Sequence, residues 1–113
     1  MRLPGIVVAA ALLAGGQASA LAQEDLARNL AAQCASCHAS SGAGAGANPG
    51  SATAGIQPLA GRPGAQIIAL MNDFKSGKRD GAQGTLMPQL AKGYTDAEIA
   101  LIADYLSRQK PAP

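Results

Sequence analysis

Cys34-Ala35-Ser36-Cys37-His38 sets two thiols three positions apart and follows the second directly with an imidazole. That order fits one haem: each sulfur can add across a vinyl group to form a thioether, and the adjoining ring can coordinate the iron from one side. Covalent attachment and the first axial ligand would then come from five consecutive residues. Three other readings of C-x-x-C compete. A redox dithiol sits at the start of a helix in a βαβ setting, and no stretch of this chain reads as a strand. A zinc site needs three or four protein ligands, whereas the whole chain holds two Cys and one His, and no carboxylate neighbours the motif. A short-loop disulfide would leave His38 without a role. One covalent haem c, held by Cys34, Cys37 and His38, is therefore the expected cofactor.

Upstream of the motif, Arg2 precedes an apolar run from Ile6 to Ala14, and Ala18-Ser19-Ala20 supplies small residues at the end. This pattern predicts a signal peptide over residues 1–20, cleaved after Ala20 or, by the second match Ala20-Leu21-Ala22, after Ala22. The apolar run is far short of the ~20 residues of a spanning helix, so the expectation is export to a periplasm with no membrane anchor. Residues 21–113 suffice for one small domain. With one Phe, two Tyr and no Trp in the chain, a buried porphyrin would supply much of the apolar volume. Once Arg2 is removed, eight basic residues face seven acidic ones. Such a balance argues against a nucleic acid or an anionic membrane as partner.

Around the motif the chain reads as helices and loops. A first helix is expected from about Glu24 into the motif, with Glu24 and Asp25 at its positive end. Leu26, Leu30 and Cys34 would form its apolar stripe, flanked by the small Ala27 and Ala31, beside which another helix could approach closely. Residues 39–55, almost all Ala, Gly and Ser with a turn at Asn48-Pro49-Gly50, read as a flexible surface loop. The glycines lack the Gly-Lys-Ser/Thr ending of a phosphate loop. A second helix can start at Pro63 and stop at Gly77, with Ile67, Leu70, Met71 and Phe74 on its buried face. A loop over 81–85 then delivers Leu86-Met87-Pro88. In the last helix Thr95-Asp96-Ala97-Glu98 is a capping box, the stripe is Ile99, Ile102, Ala103 and Leu106, and Tyr105 can pack across the first helix near its alanines.

His38 is the only histidine, so a second histidine from the same chain cannot occupy the far side of the iron. Met71 falls on a buried helix face, where it reads as core filler. Met87, set in a loop before a proline, is the expected axial ligand. The alternative is a five-coordinate iron open to gases or peroxide.

An N-terminal helix carrying C-x-x-C-H, the turn Pro58-Leu59-Ala60-Gly61, the Met87-Pro88 loop and a capped last helix together resemble a class I cytochrome c. More narrowly, that turn, Phe74-Lys75-Ser76-Gly77-Lys78-Arg79 and Ala91-Lys92-Gly93-Tyr94-Thr95-Asp96 are similar to the haem domain of flavocytochrome c sulfide dehydrogenase and related small periplasmic monohaem cytochromes. The better-known subunits of that enzyme carry two haem motifs; this chain carries one. The resemblance implies an all-α, small cytochrome c fold of three to four helices around one haem. It implies Met87 as an iron ligand and a hydrogen bond from His38 to the Pro58 carbonyl. It also implies one-electron transfer in sulfur oxidation, not catalysis. The expected partners are redox proteins: a flavoprotein dehydrogenase as donor, and a terminal oxidase or another cytochrome as acceptor. The chain could serve as a free carrier or as a bound dehydrogenase subunit. Lys75, Lys78, Arg79 and Lys92 lie on either side of the Met87 segment and are expected to form a basic docking rim.

Overall fold

The computed structural model describes residues 5–38, 56–80 and 86–111. In chain order these hold α1 (Gly5–His38), α2 (Gly64–Lys75), α3 (Leu86–Lys92) and α4 (Asp96–Ser107), with no strand among the described residues. The loops expected at 39–55 and 81–85 lie outside them.

Each boundary has a local cause. Thr95, in extended backbone at ψ 162°, accepts from the Glu98 N–H while the Glu98 carboxylate accepts from the Thr95 N–H at 2.8 Å. Both orphan amides at the start of α4 are thereby satisfied. At the end of α2, Gly77 adopts φ +73°, and the Gly77 and Lys78 amides fold back onto the carbonyls of Phe74 and Asp73. That paired closure needs a residue free to take the left-handed region, which glycine provides.

The core gathers Ala31, Ile67, Met71, Ala91, Ile99, Ile102, Ala103 and Leu106. All four expected residues of the α4 stripe are buried, and Tyr105 packs against the cluster. On α2, Ile67 and Met71 are buried while Leu70 and Phe74 are half-buried.

Two expectations for the first helix change. It runs unbroken from Gly5, so Glu24 does not open it but sits within it. There it pairs with Arg108 across the α1–α4 contact, at 2.8 Å. The buried face of α1 is also the alanine face. Ala27 and Ala31 are 2% and 1% exposed, whereas Leu26 is 47% exposed, and Leu30 and Cys34 pack only at the margin. An i, i+4 spacing marks a stripe but not which of two neighbouring stripes is covered. The close approach of α4 decides it, because alanine lets helix backbones come together where leucine would hold them apart.

A short turn completes the frame. Gly61, at φ +74°, donates its amide to the Leu106 carbonyl at 3.0 Å. The segment after residue 55 is thus fastened to the end of α4.

Candidate haem site

Cys34, Cys37 and His38 occupy the C-terminal turns of α1, all partly buried. Three-residue spacing on a helix puts both sulfurs on one side. The two sulfurs are not joined in a disulfide. Burial, the largest influence, pushes the Cys34 thiol above its ordinary range.

The His38 ring is held through Nδ1, which lies 2.7 Å from the Gln57 carbonyl oxygen. A carbonyl can only accept, so Nδ1 carries the hydrogen and donates. The tautomer follows: Nε2 keeps its lone pair and is the atom available to a metal, and the bond behind it fixes the ring's orientation. The expected acceptor was Pro58, and the structure moves it one residue upstream. The Pro58 carbonyl instead accepts from Arg62 Nε at 3.0 Å, because successive carbonyls in this tight turn face different ways. Arg62 also reaches the Gln57 side chain at 3.4 Å. Together with the Gly61 bond to α4, this fixes the turn that orients His38.

Met87 is the second residue of α3 and not part of a loop. Pro88, third in the helix, is tolerated there because the amides of a first turn have no intrahelical partner. Met87 is half-buried and borders the same apolar cluster as Cys34, Leu59, Ile68, Phe74 and Tyr94. Met71, at 8% exposure, lies inside it. The cluster's margin is thus a set of half-covered apolar side chains, with Cys34 among them. Such a surface fits a flat apolar ring, and the donor set fits covalent haem. Among the described residues, no group of three or more His, Cys, Asp or Glu converges to hold an ion.

The four cations of the expected rim have different neighbours. Lys75 is taken up inside the fold: its Nζ donates to the Tyr94 carbonyl at 2.9 Å and pairs with Asp96 at 2.8 Å. Lys78 pairs with Asp73 only at 3.9 Å. Lys78, Arg79 and Lys92 are exposed.

Two polar residues at the site had no signal in the sequence. The Tyr94 hydroxyl donates to Gln33 Oε1 at 2.7 Å, joining residues 61 positions apart. Burial pushes the Tyr94 phenol up, with Cys34 and Glu98 adding to the effect. Only the rule that a half-buried tyrosine hydroxyl needs a partner could have raised the question, and it could not have named Gln33.

A family model described as cytochrome c matches residues 24–110. The chain belongs to the cytochrome c family. Three curated proteins are similar to this cytochrome c. The thiosulfate dehydrogenase electron acceptor of Stutzerimonas stutzeri is 29% identical over 75 residues, covering 66% of this chain and 32% of that one. The cytochrome subunit of sulfide dehydrogenase of Chlorobaculum tepidum is 36% identical over 76 residues, covering 67% and 59%. Cytochrome c-554(548) of Halomonas halodenitrificans is 32% identical over 78 residues, covering 68% and 84%. The chain therefore spans about a third and about three-fifths of the first two relatives. As a family member it carries covalently bound haem c, with Cys34 and Cys37 as the two cysteines of C-x-x-C-H.

Proposed function

We propose that this cytochrome is a periplasmic one-electron carrier in which His38 and Met87 would hold the haem iron. The supporting observation is the contrast between its two candidate methionines: Met71 is enclosed by the core, while Met87 stands half-buried at the margin of the cluster that Cys34 also borders. Haem c supplies the one-electron couple. The chain's own residues do the rest: Cys34 and Cys37 tether, His38 Nε2 ligates while its Nδ1–H stays on Gln57, and Leu59, Ile68 and Phe74 keep water away. A His/Met set raises the reduction potential relative to harder ligands. A filled sixth position also leaves no site for a substrate.

Periplasmic placement rests on the signal pattern of residues 1–20, with 21–113 as the mature domain. Among the described residues no helix is long and apolar enough to cross a membrane. A donor in sulfur chemistry is suggested by two relatives, whose names attach them to sulfide and thiosulfate dehydrogenases. Those names equally favour a second reading, a cytochrome subunit held permanently by a dehydrogenase.

Ligation is tested by substitution. Met87→Ala should abolish the optical signature of iron–sulfur coordination and allow carbon monoxide to bind, while Met71→Leu should do neither. An unchanged spectrum in Met87→Ala would reject Met87 and favour an open iron. Carrier and subunit are separated by salt. Lys78, Arg79 and Lys92 would steer an acidic partner, so the second-order rate of a carrier should fall with ionic strength and fall less after Arg79→Glu. A flavoprotein that stays bound through high-salt gel filtration would establish the subunit instead.

A further inference from the structure

The helix with the thiols and His38 and the helix with Met87 do not run alongside each other. Among the described residues α1 packs on α4, and α3 packs on α2, with no contact between the backbones of α1 and α3. Something else must fix their separation. Tyr94 lies two residues beyond the end of α3, and its amide still bonds back into that helix at the Ala91 carbonyl. Its carbonyl is held by Lys75, which is itself anchored on Asp96. From this fixed base the phenol hydroxyl reaches Gln33 Oε1 at 2.7 Å, and Gln33 is the residue directly before Cys34.

We propose that the Tyr94–Gln33 hydrogen bond is a strap that holds the C-terminal end of α3 to the thiol-bearing turn of α1, and so positions Met87 against the iron. Tyr94 is on this view a positioning residue. The strap rests on the reading of Met87 as second axial ligand. Without it, α3 keeps its packing on α2 and its short link over residues 93–95 to α4, but loses its direct bond to α1, and the population with Met87 off the iron rises. One neutral hydrogen bond of this kind shifts such an equilibrium about two- to tenfold.

The test uses the ferric holoprotein and imidazole, which binds the iron only where Met87 has let go. The iron–sulfur signature of the unaltered protein is read first. Tyr94→Phe and Gln33→Ala should each retain that signature yet raise the apparent imidazole affinity about two- to tenfold, and the double variant should go no further than either single one. Arg108→Ala cuts a different α1 bond, the one to Glu24, and should leave imidazole affinity where it was. Unchanged imidazole affinity in both single variants would overturn the strap even if their melting temperatures fell, because the bond would then be structural only. An equal rise in Arg108→Ala would overturn it too, by tracing the effect to general loosening. If the unaltered protein shows no iron–sulfur signature, the Met87 reading fails and takes the strap with it, an outcome visible before any variant is made.

Discussion

The α1–α4 side of the core and its α2–α3 side are closed in different ways. On the first, Ala31 meets Ile99, Ile102, Ala103 and Leu106, none more than 2% exposed, and protein side chains alone fill the space. On the second, Ile67, Met71 and Ala91 are buried too, but Leu59, Ile68, Phe74, Met87 and Tyr94 at the margin of the same cluster that Cys34 borders are only half-covered. One side is scaffold and the other is a receiving surface. The difference teaches where stability and spectroscopy should separate: the scaffold can be weakened without touching the iron, and the receiving surface can be altered without dissolving the scaffold.

The largest test of that separation is Leu106→Ala. Emptying a fully buried site of this kind costs about 2–5 kcal/mol, so thermal melting followed by helical circular dichroism should drop by on the order of 10 °C or more. The iron spectrum below the transition should stay the same; a changed spectrum would break the comparison. Gly61→Ala should come next, at roughly 1–3 kcal/mol. A methyl there would take a left-handed conformation and meet Pro111 Cγ at 2.8 Å. Because the same turn carries Gln57, the carbonyl partner of His38, this variant alone should disturb both melting and ligation. Gly77→Ala shares the φ but meets nothing within 4 Å, so it should cost only about 1–2 kcal/mol and leave the spectrum alone. Thr95→Ala removes the α4 cap for about 1 kcal/mol, again with no optical change. Smallest is Arg108→Ala. Its ion pairs with Glu24 and Asp104 are exposed, so the melting shift should be slight and should shrink further as salt is added.

What the sequence made legible was chemistry written in neighbouring residues. Cys34-x-x-Cys37-His38 and the Thr95–Glu98 box each hold their own partners within a few positions, so spacing alone identifies them. The all-α architecture and the α4 stripe followed from period in the same way. The buried face of α1 did not, since Leu26 and Ala27 belong to adjacent stripes and only the approach of α4 chooses between them. Gln57 could not be told from Pro58 because a backbone carbonyl carries no mark in the sequence, and one residue of phase in a turn redirects it. Lys75 looked like its neighbours Lys78 and Arg79 until the fold brought Tyr94 and Asp96 beside it. Tyr94 and Gln33 share no local pattern at all.

The pairing of Glu24 with Arg108 spans 84 positions of the chain, and the contact it accompanies joins the middle of α1 to the end of α4. Synthesis proceeds from the N-terminus, so the alanine face of α1 waits for its cover until almost the whole domain has been made. Closure across so long a stretch is also intrinsically slow. The α1–α4 contact is therefore one that folding can complete only when both ends of the domain are in place, whatever has already formed between them.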